Sequence, residues 1–151
     1  MSPLRRRCHR ILVLAAALLP AMFSPAWAAP AEITPQEAQA RATTGALTLV
    51  DVRTPREWRE TGVAAGAARI DMNQPDGADG FVKAVLEGVG GDRDAPIAFI
   101  CRSGNRSGHV QRLLAEQGFT QVQSVSEGMS GSSAGPGWIK RGLPLEPCGG
   151  C

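Results

Sequence analysis

One short segment of this 151-residue chain combines a nucleophile with charges that would activate it. The segment is the run Cys101-Arg102-Ser103-Gly104-Asn105-Arg106. An apolar run typical of a buried strand precedes it, and a pattern typical of an amphipathic helix follows it. In a tight loop between strand and helix, the backbone N–H groups point inward and the helix N-terminus adds partial positive charge. Together with the two arginines, these dipoles favour a thiolate at Cys101 and predict a nucleophilic cysteine.

The length of this loop limits what it can hold. Four residues separate Cys101 from Arg106, whereas the corresponding loop of cysteine-dependent phosphatases is one residue longer and surrounds a tetrahedral phosphate. A shorter loop forms a smaller cradle, which suits a single sulfur atom on the cysteine better than a phosphoryl group. The spacing therefore argues against a phosphatase or an arsenate reductase.

Strand and helix signals alternate along the chain and predict an α/β fold, with a central, mostly parallel sheet flanked by helices on both faces. Thr34 and Thr54 each precede a proline, which is the pattern of a capped helix start. The predicted strands are 47–53, 67–71, 97–100 and 122–125, a loop is predicted at 73–80, and further helices are predicted at 81–86 and 107–117. In such sheets the binding site lies beyond the carboxyl ends of the strands, which is where Cys101 is placed.

Two charged residues end the first predicted strand and reach the same edge of the sheet as Cys101. We interpret these two, Asp51 and Arg53, as a structural ion pair or turn cap that supports the site, with the alternative that Asp51 orients Arg106. Arg102 is expected to recruit an anion. Arg106 is expected to close the loop by bonding to backbone or to an acid.

The first 28 residues have the pattern of a secretory signal peptide. Four arginines lie within residues 5–10, an apolar run follows at 11–19, and Ala26-Trp27-Ala28 supplies a small-residue cleavage site. The apolar run is too short to span a bilayer comfortably, which needs about 20 residues. We therefore expect an exported protein, located in the periplasm, with no stable membrane span after cleavage.

Cleavage would also change the charge balance. Four of the 16 basic residues lie in residues 1–28, so the remainder has 12 basic and 14 acidic residues, a net charge of −2. The basic excess of the full chain thus gives no support for nucleic-acid binding. Only one histidine, His109, lies outside the predicted signal peptide. With no second histidine, a metal site has almost no support.

Three segments of the chain resemble the rhodanese family, the single-domain sulfurtransferases of the thiosulfate type. They are the run 49–58, the loop 101–107, and the run 127–144 with its Glu127-Gly128-Met129, Gly137-Trp138 and Gly142-Leu143-Pro144 signatures. The loop is the most specific of the three, and the resemblance covers residues 34–146. It implies a rhodanese-like fold and a Cys101 that forms a persulfide. It also implies that the rest of the loop binds substrate: Arg102, Ser103, Gly104, Asn105, Arg106 and Ser107.

The chain departs from the family pattern at three places. Gly62 is followed by Val63, where the family often has a histidine. The link at 130–136 is longer than usual, and the Cys148-Gly149-Gly150-Cys151 run lies outside the pattern. The last two departures bear on substrate preference more than on reaction type.

The cysteine count leaves two roles open for the last of these runs. After cleavage three cysteines remain, Cys101, Cys148 and Cys151, and an odd number leaves at least one thiol unpaired or paired between molecules. In an oxidising compartment, we expect a Cys148–Cys151 disulfide and a free Cys101. The C-x-x-C spacing is then either a disulfide without catalytic duty or a resolving thiol pair that accepts sulfur from Cys101.

These patterns together predict three regions: a signal peptide at 1–28, a rhodanese-like domain at 29–147 and a C-terminal CxxC tail at 148–151. The predicted function is transfer of a sulfane sulfur from thiosulfate or a similar donor, through a Cys101 persulfide, to a small thiol or cyanide. No cofactor is needed, and an exported protein is the alternative acceptor. Two other functions stay open: a sulfur-binding or carrier module, and a thiol–disulfide oxidoreductase that uses Cys148 and Cys151.

Overall fold

Seven short strands and five helices follow one another in residues 31–151, the part of the chain that the computed structural model describes. In chain order they are β1 (Glu32–Ile33), α1 (Pro35–Thr43), β2 (Thr48–Asp51), α2 (Pro55–Thr61), β3 (Val63–Ala64), β4 (Ala68–Arg69), α3 (Gly77–Gly88), β5 (Ile97–Ile100), α4 (Asn105–Glu116), β6 (Val122–Val125), α5 (Gly137–Lys140) and β7 (Leu145–Glu146). The predicted signal peptide lies outside the described residues. Within them, no helix has both the length and the apolar composition needed to cross a membrane.

Five of the strands form one parallel sheet in the order β1-β6-β5-β2-β4. At its centre, Asp51 of β2 is in register with Ile100 of β5, and Phe99 of β5 is in register with Ser124 of β6. The carboxyl ends of these three strands therefore meet at one edge. The predicted α/β architecture is confirmed, and β3 and β7 add a separate antiparallel pair.

Helices cover both faces of this sheet. One core packs α3 and α4 against alternate strand residues, and its members include Val50, Phe81, Val85, Phe99, Val110 and Leu114. The other packs α1 and α5 against the intervening strand residues, and its members include Ala38, Leu49, Ile100, Val125 and Trp138. Because consecutive side chains of a strand point to opposite faces, every residue of β5 is buried. This explains why the central strands are continuous apolar runs in the sequence.

The first two helices begin where the threonine–proline pattern predicts. The Thr34 hydroxyl accepts a hydrogen bond from the Glu37 amide at 3.2 Å, and proline occupies the first turn of both helices. At α2, Thr54 and Glu57 form a reciprocal capping box. These caps satisfy amides that have no partner within the helix.

Some boundaries differ from the prediction. The predicted loop at 73–80 is wrong from Gly77 onward, where α3 begins without a side-chain cap and so without a start signal in the sequence. Helix α4 begins at Asn105, two residues earlier than predicted, because Gly104 takes a left-handed conformation directly before it. The two-residue strands β1, β3 and β7 are too short to show any periodicity.

Candidate active site at the carboxyl edge of the sheet

Cys101 directly follows β5 and is the first residue of the loop 101–106, named here the Cys101 loop. It is a free cysteine and only 1% exposed. The Gly104 amide donates a hydrogen bond to Cys101 Sγ at 3.2 Å. Gly104 immediately precedes α4, so the sulfur lies at the positive end of that helix. This arrangement favours negative charge on the sulfur.

A buried pair of hydroxyls lies on the other side of the sulfur. The Ser107 hydroxyl oxygen is 3.5 Å from Cys101 Sγ, and this hydroxyl donates to the Gly104 carbonyl at 3.0 Å. The Ser124 hydroxyl on β6 donates in turn to Ser107 at 2.9 Å. Ser107, predicted as a substrate-binding residue, is therefore fully buried and contacts the sulfur itself. The contribution of Ser124 has no signal in the sequence, because it sits inside an otherwise ordinary strand.

The loop after β6 holds the Cys101 loop in place by close backbone contact. The Met129 amide donates to the Cys101 carbonyl at 2.8 Å, and the Ser130 amide donates to the Arg102 carbonyl at 2.9 Å. Gly104 has a φ of +89°, and a Cβ there would overlap the Ser126 carbonyl. A Cβ on Gly128 would lie 2.6 Å from the backbone of Arg102. Two glycines thus allow the two loops to pack directly on each other.

A two-point ion pair closes the Cys101 loop. Arg106 donates from Nη1 to Glu57 Oε2 at 2.8 Å and from Nη2 to Glu57 Oε1 at 2.5 Å. The hydrogen bonds from Arg106 lower the pKa of Glu57 from 4.5 to about 2, with further help from the Thr54 amide and against the effect of burial. The same contact raises the pKa of Arg106, with smaller contributions from Cys101 and Asp51. Arg106 therefore closes the loop through an acid, one of the two partners the sequence analysis allowed.

Asp51 and Arg53 form a separate buried ion pair. Their side chains are 0% and 2% exposed, and Arg53 Nη2 lies 2.7 Å from Asp51 Oδ2. Arg53 also donates to the Thr61 hydroxyl at 2.7 Å and to the Gly62 carbonyl at 2.6 Å. The pair thus joins the end of β2 to the end of α2. Arg106 is held by hydrogen bonds to Glu57, whereas Asp51 binds Arg53 and acts on Arg106 only through its charge.

The remaining residues of the Cys101 loop line two clefts on its outer side. A cleft of about 90 Å³ is bordered by Arg102, Arg53, Glu57, Glu60, Thr61 and Ser130. A second cleft of about 270 Å³ is bordered by Ser103, Gly104, Asn105, Ser126 and the exposed residues 132–134. Cys101, which is buried, borders neither cleft. A third cleft of about 310 Å³, between α3 and α4, includes His109 and is lined by no cysteine, serine or threonine.

The long link at 130–136 forms part of the second cleft and is anchored at both ends. The buried Glu127 accepts a hydrogen bond from the Gly137 amide at 2.9 Å and pairs with Arg141 at 2.6 Å. The Arg141 hydrogen bonds lower the pKa of Glu127. The Ser132 hydroxyl donates to the Ser126 carbonyl at 3.0 Å. This insertion therefore places serines beside the Cys101 loop.

The CxxC segment, Cys148–Cys151, lies apart from the Cys101 loop. It is closed by a disulfide. Cys148 is buried with Trp58 and Val63 in a small cluster of its own. Within residues 31–151, no hydrogen bond or ion pair joins this segment to the Cys101 loop.

The sequence from residue 34 to residue 134 matches the family described as Rhodanese-like domain. This span includes the Cys101 loop, the Glu57 that closes it and the Asp51–Arg53 pair. The chain belongs to this family.

This rhodanese-like protein is also similar to individual proteins and to solved structures. An uncharacterized protein of Rickettsia prowazekii is 30% identical over 105 residues, which cover 65% of this chain and 81% of that protein. The thiosulfate sulfurtransferase GlpE of Pseudomonas fluorescens is 31% identical over 96 residues, covering 64% of this chain and 78% of GlpE. The crystal structure of Rv0390 from M. tuberculosis has a TM-score of 0.60 at 30% identity, covering 76% of this chain and 96% of that one. The rhodanese-like fold and the sulfurtransferase-type family are confirmed.

We predict that Gly104→Ala will disrupt the Cys101 loop. A left-handed alanine alone costs about 1–2 kcal/mol, and the overlap with the Ser126 carbonyl adds about 1–3 kcal/mol of overpacking. The matched control is Gly45→Ala, because Gly45 has a φ of +72° and a Cβ added there would have no atom within 4 Å. Urea unfolding of the two variants should show the larger loss for Gly104→Ala, and equal losses would contradict the close packing of the two loops.

We predict that Glu57→Gln will lower the free energy of unfolding at pH 7 by about 2 kcal/mol, the range of a hydrogen bond to a charged group. Glutamine can still form the capping box, so the change reports chiefly on the Arg106 contact. The pKa of Glu57 is depressed, so its stabilisation is complete above pH 4.5 and is lost as the pH falls towards about 2. The difference in free energy of unfolding between wild type and variant should therefore decrease as the pH falls from 4.5 towards about 2.

The control for this variant is Glu60→Gln on the same helix. Glu60 pairs with Arg56 at 3.4 Å, and both side chains are more than half exposed. Such a surface pair contributes little. Urea unfolding at pH 7 should therefore give a clearly smaller effect for Glu60→Gln, and a pH-independent gap for Glu57→Gln would show that its charge is not what stabilises the loop.

Proposed function

We propose that this rhodanese-like protein is a sulfurtransferase that carries a sulfane sulfur on Cys101, from thiosulfate or a similar donor to a thiophilic acceptor. The observation that carries the proposal is the position of Cys101 Sγ, which lies 3.2 Å from the Gly104 amide at the start of α4, inside a short loop closed by Arg106 and Glu57. The similarity to a thiosulfate sulfurtransferase of Pseudomonas fluorescens supports the same chemistry.

The reaction has two halves. In the first, the Cys101 thiolate attacks the outer sulfur of thiosulfate, and the sulfur–sulfur bond of the donor breaks with its electron pair leaving on sulfite. In the second, cyanide or a thiolate attacks the outer sulfur of the Cys101 persulfide, and the electron pair of that bond returns to Cys101. This is a double displacement through a covalent intermediate, so ping-pong kinetics are expected.

The groups around Cys101 suit an anionic sulfur in each step. The Gly104 N–H and the positive end of α4 stabilise negative charge on Cys101 or on its persulfide. The Ser107 hydroxyl donates to the Gly104 carbonyl in this structure but lies close enough to turn its proton towards the sulfur. Ser124 keeps the Ser107 oxygen in place during that rotation.

Arg102 is the loop residue best suited to capture a dianionic donor. Its side chain is exposed at the border of the 90 Å³ cleft and has no hydrogen bond or ion pair with any residue in 31–151. Arg106, in contrast, is bound to Glu57. Cys101 is only 1% exposed, so the donor has a narrow approach to its sulfur.

The proposal also includes the sulfur acceptor and the cellular location. We propose a small thiol, cyanide or an exported protein as the acceptor, and export to the periplasm under the direction of residues 1–28. The short Cys101 loop argues against phosphate esters as substrates.

We predict that incubation with thiosulfate adds one sulfur to Cys101, and that thiosulfate with cyanide yields thiocyanate. The reason is the single nucleophilic sulfur held by the Gly104 amide. Intact-protein mass spectrometry and a thiocyanate assay measure the two steps. Cys101→Ser should abolish both, and an aryl phosphate should not be turned over.

Three results would contradict the proposal. They are an unchanged mass after thiosulfate treatment, sulfur that maps only to Cys148 or Cys151, and faster hydrolysis of the aryl phosphate than transfer of sulfur.

We predict that Arg102→Gln lowers kcat/KM for thiosulfate by about tenfold or more while leaving kcat close to the wild-type value. A charge-assisted hydrogen bond contributes about 1.5–3 kcal/mol to capture of an anion, and the sulfur chemistry itself does not use Arg102. Steady-state kinetics with varied thiosulfate measure the change. Arg112→Gln, which removes an exposed arginine of α4, is the control for net charge. A fall in kcat alone, or equal effects of both variants, would exclude donor capture by Arg102.

A further inference from the structure

The CxxC segment is a second sulfur site that the proposed sulfur transfer does not use. We propose that the Cys148–Cys151 disulfide is redox-active and undergoes thiol–disulfide exchange with an external dithiol, in which Cys151 is attacked and Cys148 leaves as the thiolate. The electron donor is a dithiol of the dithiothreitol or thioredoxin-like class.

A guanidinium lies against both sulfurs of this disulfide. Arg69 Nη1 is 3.0 Å from Cys148 Sγ and 3.6 Å from Cys151 Sγ. A disulfide carries no charge, so it offers Arg69 only a weak acceptor. Opening the bond places a full negative charge on one sulfur, and a neighbouring arginine stabilises that thiolate. The shorter distance to Cys148 selects Cys148 as the better leaving group.

The burial of the two cysteines also favours attack at Cys151 and departure of Cys148. Cys148 is 6% exposed and packs in a cluster with Trp58 and Val63. Cys151 is half-buried, at the margin of this cluster, and its glycine neighbours Gly149 and Gly150 are exposed. An incoming thiolate therefore reaches Cys151 Sγ more easily than Cys148 Sγ.

Two further charged groups lie close to the CxxC segment. Arg59 on α2 donates to the main-chain oxygen of Cys151. The carboxylate of Glu146, on β7, accepts a hydrogen bond from the Gly66 amide at 2.9 Å. Among residues 31–151, Arg69 is thus the charged side chain that the structure places at the sulfurs themselves.

The exchange balances as two successive displacements. A thiolate of the dithiol attacks Cys151 Sγ, the Cys148–Cys151 bond breaks, and its electron pair stays on Cys148. The second thiolate of the dithiol then attacks the first sulfur of the same dithiol, which is bonded to Cys151 in the mixed disulfide, and releases Cys151 as a thiolate. The CxxC segment gains two electrons, and the dithiol becomes a disulfide.

The sheet register separates this site from Cys101. Arg69 of β4 lies opposite Asp51 of β2, which lies opposite Ile100 of β5. Two strand spacings place the backbone of Arg69 about 10 Å from that of Ile100. The two sulfur sites therefore share an edge of the sheet without sharing residues.

The test measures reduction of the purified protein in a Cys101→Ser background, and peptide mapping follows Cys148 and Cys151 separately from Cys8. Dithiothreitol is added, samples are quenched by alkylation, and mass spectrometry counts the modified cysteines. Arg69→Gln should slow reduction several-fold, and it should lower the equilibrium constant for reduction in a glutathione buffer by about tenfold, the equivalent of one pKa unit of lost thiolate stabilisation. Arg69→Lys, which keeps the charge, should restore most of the reduction rate and most of the equilibrium constant.

The control is Arg56→Gln, because Arg56 is exposed on α2 and pairs with Glu60 rather than with the CxxC segment. It should leave rate and equilibrium unchanged. Peptide mapping after brief exposure to reduced glutathione should find the mixed disulfide on Cys151. The proposal is overturned if Arg69→Gln is reduced as fast and as completely as its parent, if Arg56→Gln has the same effect, or if glutathione is found on Cys148.

Discussion

The carboxylate of Glu57 connects the two helices on which the candidate active site depends. It caps the start of α2 through the Thr54 amide and hydroxyl, and it binds Arg106 in the first turn of α4. Both helix N-termini are positive, so one carboxylate between them is favourable in both directions. Because the Cys101 loop runs from β5 into α4, fixing α4 also fixes the position of the Gly104 amide over the sulfur.

Around this ion pair, the site is built from backbone contacts between loops at one edge of the sheet. The Met129 and Ser130 amides bind the carbonyls of Cys101 and Arg102, and Gly104 packs against Ser126. The loop after β6 thus fixes the backbone conformation of the loop after β5. The family signature around Gly128 and the Cys101 motif are for this reason parts of one structural unit, although they stand far apart in the sequence.

The sequence predicts features that arise from local chemistry. The threonine–proline caps, the apolar runs of the central strands and the Cys101 loop are all local, and the structure contains them where expected. The partnership of Glu57 with Arg106 is not local, because the two are 49 positions apart in the sequence, and the capping box already accounts for Glu57. Ser124 and Arg69 stand in short strands and meet the two sulfur sites only through the register of the sheet, which no local pattern reveals.

The burial of Cys101 also affects the resistance of its thiol to oxidation. An exposed thiolate is oxidised stepwise to sulfenic acid and then irreversibly to sulfinic and sulfonic acids. With only 1% of Cys101 exposed, an oxidant in bulk solvent has little access to the sulfur. Under the proposed function, a donor captured by Arg102 would be held beside the same narrow approach, whereas a dilute oxidant would arrive only by chance encounter. Burial would therefore favour sulfur transfer over irreversible oxidation of the thiol.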